Sequence, residues 1–122
     1  MLRRSIIILA AAMATLALAT VPAGAGLGSM EVYSAPNFGG THVSVPETTV
    51  DDYLNSCVSM YTLTSTVLTT AKSTQNYTAF DLKLYTATGC SLSTYITTVS
   101  PNSTWSSSSQ SAAAVYVQQT QS

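Results

Sequence analysis

Few side chains in this 122-residue chain are able to do acid, base, nucleophilic or metal chemistry. There is one histidine, His42, two cysteines, Cys57 and Cys90, and five carboxylates, Glu31, Glu47, Asp51, Asp52 and Asp81. Ser/His/Asp catalysis would have to recruit His42, which stands between Thr41 and Val43 in a strand-like stretch, and no Gly-x-Ser-x-Gly elbow is present. Glycoside hydrolysis needs two opposed carboxylates, and two of the five are adjacent in sequence. A lone histidine also removes His-rich zinc sites. The inventory points to a protein that is not an enzyme and carries no cofactor. Beyond residue 25 the only cations are Lys72 and Lys83 against five carboxylates, a formal balance of −3 with no arginine. Phosphate-backbone affinity comes from clustered Lys and Arg, so nucleic acid is excluded as a partner.

The first residues form a sorting signal. Arg3-Arg4 precede an apolar run from Ile6 to Ala19, followed by Thr20-Val21-Pro22 and the small-residue site Ala23-Gly24-Ala25. The expectation is a secretory signal peptide over residues 1–25, leaving an extracellular domain over 26–122. A membrane anchor is the alternative, but the run is short of the roughly 20 residues a spanning helix requires, so no stable membrane insertion is expected after cleavage. The Arg pair also permits a twin-arginine route. Export gives the two cysteines a meaning: a secreted chain with a single pair is expected to join Cys57 to Cys90, two separate buried thiols being the alternative. The residues Asn76-Tyr77-Thr78 and Asn102-Ser103-Thr104 fit the glycosylation sequon.

These residues must be positioned by strands. Branched and aromatic residues at 30–35, 41–46, 59–70 and 82–88 favour β-structure, with turn compositions at Pro36-Asn37-Phe38-Gly39-Gly40, Thr88-Gly89 and Ser100-Pro101-Asn102. No long helical stripe is present. The domain is therefore expected to be all-β; residues 104–111 alone resemble a Ser-rich stalk. A shift of 52 residues sets Val32 on Leu84, Tyr33 on Tyr85, Val43 on Tyr95, Tyr53 on Trp105, Ser59 on Ser111 and Leu63 on Val115. The pattern suggests two β-units of about 40 residues whose apolar faces cover one another.

The segment from Tyr33 through Asn37, Phe38 and Gly40 resembles the first hairpin of a βγ-crystallin Greek key, in which an aromatic is followed after three residues by Asn, an aromatic, any residue and Gly. Tyr33 would lie across the folded hairpin, Phe38 would fill its corner, and Gly40 would adopt a backbone angle closed to residues with a Cβ. The family's later Asn/Asp-Asn/Asp-x-x-Ser/Thr-Ser element has a partial counterpart at 55–60 and a weaker one at 107–112. The resemblance implies two Greek-key motifs, about 30–70 and about 79–118, packed as one βγ-crystallin-like sandwich, monomeric, with Tyr85 as the second hairpin's brace. In that hairpin Cys90 and Leu92 stand where Phe38 and Gly40 stand in the first, so a disulfide from Cys90 would replace the missing corner.

Calcium-binding members of the family use oxygen ligands around the later element. The nearest set here is Asp51, Asp52, Asn55 and Ser59, and neither element itself contains an acid, so calcium binding is expected to be weak or absent. The size, export signal and low charge also resemble the crystallin-like metalloproteinase inhibitors of microbes. That likeness implies an extracellular protease as partner and an inhibitory hairpin at Thr86, Ala87, Thr88, Gly89, Cys90, Ser91 and Leu92. The alternatives are an extracellular or cell-wall binding module, carbohydrate-binding or antimicrobial, with Tyr53, Tyr61, Tyr77, Tyr95 and Trp105 as candidate contacts for a wall glycan, and a purely structural domain.

Overall fold

The protein is described by a computed structural model over residues 28–120; the leader expected over 1–25 and its cleavage site lie outside the described residues. In chain order the elements are β1 (Ser29–Ala35), β2 (Gly39–Pro46), α1 (Glu47–Asp51), β3 (Cys57–Ser59), α2 (Met60–Leu63), β4 (Ser73–Asn76), β5 (Phe80–Tyr85), a 3-10 turn (Leu92–Thr94), β6 (Tyr95–Val99), β7 (Ser103–Ser106) and β8 (Ala114–Gln119). The strands make two antiparallel sheets, ordered β2-β1-β4-β7 and β3-β8-β5-β6. Alternation explains how they face. Met30 and Val32 of β1, Leu82 and Leu84 of β5, and Val115 and Val117 of β8 are fully buried, while the residues between them turn outward. The inward residues of both sheets share one apolar core with Val45, Val58, Met60 and Val99.

Each half donates one strand to the other. Advancing β1, β2 and β4 by four places gives β5, β6 and β8, while β3 of the first half edges the second sheet and β7 of the second half edges the first. Neither sheet is complete without a strand from the opposite half. Sheet register also fixes which residues are equivalent. Tyr33 faces His42 and Ser73 across β1, and Tyr85 faces Tyr95 and Ala114 across β5. Ser73 in turn faces Ser106, and Ala114 faces Ser59. The offset is thus 52 residues for Tyr33 and Tyr85, 53 for His42 and Tyr95, 47 for Ser59 and Ser106, and 41 for Ser73 and Ala114. The gapless 52-residue register therefore holds only at the first strand of each half. The later matches of Ser59 with Ser111 and Leu63 with Val115 are replaced, because the loops between strands differ in length.

The stretch 59–70 is not a strand beyond its first residue. Ser59 caps α2, its Oγ accepting from Thr62 N at 3.1 Å, and the chain then passes through Ser65 and Thr66, both at positive φ. A favourable N-cap thus overrides the β-propensity of the Thr/Val-rich sequence that follows. Where the halves meet, Asn76 is wholly buried. Its Nδ2 donates to Phe80 O at 2.7 Å and to Val99 O at 2.8 Å, and its Oδ1 accepts from Thr78 N and Thr78 Oγ1. One amide therefore ties the end of β4 to the start of β5 and the end of β6.

The disulfide expected from the lone cysteine pair is present: Cys57 and Cys90 are joined, with Cα atoms 5.9 Å apart. It links β3 of the first half to the loop after β5 of the second, and on the chain-entropy account contributes roughly 3 to 4 kcal/mol.

Candidate functional site

The two hairpins that follow Tyr33 and Tyr85 share a pair of consecutive positive-φ residues but not their fastenings. In the first, Asn37 and Phe38 have φ of 57° and 61°; in the second, Gly89 and Cys90 have φ of 100° and 51°. The first is folded back onto its sheet by hydroxyls. Ser73 Oγ donates to Ala35 O at 2.7 Å and accepts from Phe38 N at 2.9 Å, and Asn37 N donates to Ser106 Oγ at 2.8 Å. Gly40 has φ of 76°, and a Cβ there would lie 2.3 Å from Ser34 Oγ. The Tyr33 ring meets Phe38 edge-on at 5.6 Å and stacks on His42 at 4.5 Å.

In the second hairpin all three devices are gone. Ala114 stands in the place of Ser73, Cys90 in that of Phe38, and Leu92 opens the 3-10 turn where Gly40 took a positive φ. What holds this loop is the Cys57–Cys90 bond, together with the closure of Thr86 N on Thr94 O at 2.8 Å. Beneath it Tyr85 is 7 % exposed and meets Tyr95 edge-on at 5.7 Å. Burial, followed by the nearby Tyr95 and Tyr116, holds the Tyr85 phenol above its ordinary pKa. Thr86, Ala87, Thr88, Gly89, Ser91 and Leu92 are exposed, and Leu92 at 89 % is the most exposed large apolar residue of the described chain.

His42 sits on the outer face of the first sheet and bonds through Nε2 to Glu31 Oε1, while Ser44 Oγ donates to Glu31 Oε2 at 2.7 Å and Ser29 Oγ also donates to that carboxylate. The serines serve the carboxylate rather than the imidazole, and among the described residues no hydroxyl or thiol bonds to His42. Burial alone would raise the Glu31 pKa, but the hydrogen bonds from Ser29, Ser44 and His42 and the His42 charge outweigh it and hold it below the ordinary value of 4.5. A carboxylate depressed on folding adds stability above its unfolded pKa and loses it as pH falls through its folded pKa. Glu31→Gln is therefore expected to melt below the parent at pH 7, with the gap closing on acidification below about pH 4.5. Melts from neutral pH to pH 3 check this; a gap that widens toward acid is the contrary result.

The residues suggested for calcium run from the end of α1 to the end of β3. Asp51 and Asp52 are exposed at the end of α1, and Asn55 N donates to Val117 O. Ser59 lies opposite Ala114, about 10 Å along β8 from Val117, and its hydroxyl is engaged in capping α2. Among the described residues no group of three or more His, Cys, Asp or Glu is placed to hold a metal. Of the candidate aromatic contacts, Tyr61, Tyr77 and Tyr95 are exposed, whereas Tyr53 and Trp105 pack against the core. The two sequons also separate: the Asn76 amide is buried with both hydrogens donated, and Asn102 is exposed. Ser73 and Asn76 were not legible as key residues, because in a Ser/Thr/Asn-rich chain nothing local distinguishes a hydroxyl or amide that will be buried. Comparison of the chain with protein-family models, with curated proteins and with solved structures returned no match.

Proposed function

We propose that this is a secreted domain of two Greek keys, of the βγ-crystallin type, that inhibits an extracellular metalloproteinase by presenting residues 86–92 to its cleft. The strand order supports the architecture, since each half contributes three neighbouring strands to one sheet and its third strand to the edge of the other. The observation that carries the function is the loop itself: Leu92, 89 % exposed, projects from a segment tethered by a disulfide two residues earlier and by β6 three residues later. An apolar side chain held at fixed position gains a protease pocket without the ordering cost of a flexible peptide. If the enzyme cuts between Ser91 and Leu92, the new end at Ser91 stays bound through Cys90 to Cys57. The other end stays bound through β6 to β5. The nicked product is held together, so release is slow.

The test is a panel of secreted metallo- and serine proteases assayed with the mature protein. Leu92→Ala is expected to weaken inhibition about 30-fold, as for a central hot spot, with a melting temperature within about 2 °C of the parent because the side chain is in solvent. The reading fails if no protease in the panel is inhibited, or if Leu92→Ala inhibits as well as the parent.

A further inference from the structure

The two outer sheet faces are related strand for strand, yet their side chains are used in opposite ways. On the first face Glu31 lies opposite Ser44 and Gln75, and the cluster is wired internally: Ser29, Ser44 and His42 all bond to Glu31, and Tyr33 donates its hydroxyl to Gln75 Oε1 at 3.1 Å. Little hydrogen-bonding capacity is left over. On the second face the equivalent of Glu31 is Lys83, which lies opposite Thr98 on β6 and Tyr116 on β8; one step along the same face Asp81 lies opposite Gln118. Among the described residues the side chains of Lys83, Asp81, Tyr116 and Gln118 make no hydrogen bond or ion pair, and the one bond on this face joins Tyr95 to Thr98 at 2.7 Å. All of them are half-buried or exposed on a sheet whose other side is core.

We infer that this second outer face, Tyr95, Thr98, Lys83, Asp81, Tyr116 and Gln118, binds a neutral saccharide. Lys83 offers only donors, Asp81 only acceptors, and Gln118, Tyr116 and Thr98 offer both; a ligand answering all of them must itself carry many groups that donate and accept. A polyol does so. Lys83 and Asp81, of opposite charge and two residues apart on one strand, leave the face with no net charge, so neither an anion nor a cation is favoured over an uncharged ligand. Tyr95 and Tyr116 add aromatic surface with a polar edge, suited to the apolar face of a sugar ring. Four residues along a strand, from Asp81 to the Tyr85–Tyr95 pair, and two strands across make a patch of about 13 by 10 Å, the size of two or three pyranose rings.

The experiment titrates the mature, oxidised protein with neutral hexasaccharides of the β-glucan, mannan and chitin types, and with oligogalacturonate as the charged control. A neutral hexasaccharide is expected to bind, with affinity unchanged between about 0.05 and 0.5 M salt because no net charge is exchanged. Tyr116→Ala and Lys83→Gln are each expected to lose about tenfold or more, as for removal of an aromatic or charged contact in a small site. Gln75→Ala on the wired face and Leu92→Ala on the loop are expected to bind as the parent does, which separates this site from the protease-facing residue. Should Tyr116→Ala fail to fold, Lys83→Gln carries the test through its melt and affinity together. Binding to no neutral hexasaccharide, binding to oligogalacturonate alone, or parental affinity in Lys83→Gln overturns the inference.

Discussion

Asn76→Asp is expected to be among the most damaging single-atom changes available to this protein, lowering stability at pH 7 by about 3 kcal/mol or more. The parent amide donates to the carbonyls of Phe80 and Val99 from a wholly buried position. A carboxylate of the same shape donates to neither and places negative charge against two carbonyl oxygens, with no water to screen it. At about 4 to 8 °C per kcal/mol for a domain of this size, the melting temperature falls by some 12 °C or more. The pH dependence provides the internal check. The Asp variant's pKa is raised by the buried site, so stability returns as pH falls through that raised value, when the protonated group can donate one of the two missing bonds. Parallel melts at neutral and acid pH measure it. A variant equal to the parent at neutral pH would show that the amide is not what ties the two halves.

The second large effect separates the two brace tyrosines. Tyr85 is nearly buried beneath a loop held by the disulfide, and Tyr33 is half-buried beneath one held by Ser73 and Gly40. Tyr85→Ala opens a cavity against Tyr95 and is expected to cost about 3 kcal/mol, near the lower end of the range for large aromatic truncations. Tyr33→Ala is expected to cost roughly half of that, since less of its ring leaves solvent on folding. Equal costs would be expected of equivalent positions if equivalence of sequence meant equivalence of burial. Chemical denaturation of the two variants decides between these outcomes, and a Tyr33→Ala cost exceeding that of Tyr85→Ala would contradict the burial argument.

Much of the architecture was legible in residue order. Branched and aromatic alternation identified an all-β domain, the lone cysteines identified their partner, and Tyr33-to-Gly40 spacing located a hairpin whose Gly40 does take a positive φ. These are local or forced properties: alternation is a period-two signal, a single cysteine pair has one pairing, and Gly40 takes its positive φ where a Cβ would run into Ser34 Oγ.

The repeat was legible only at its first strand, because loop lengths shift the later registers and a Ser/Thr-rich chain offers false matches at any offset. Tertiary structure alone decided that Ser73 and Asn76 are buried while chemically identical neighbours are in water. It also decided that Trp105 and Tyr53 pack against the core, and that Ser59 caps a helix. The difference between the two outer faces is of the same kind. Glu31 and Lys83 occupy equivalent places, but whether each is satisfied depends on residues brought opposite them from strands far along the chain, Ser44 and Gln75 for one, Thr98 and Tyr116 for the other. Hydrogen-bond partnership is a property of pairs across a sheet, and the register of those pairs is set by the lengths of the loops between strands.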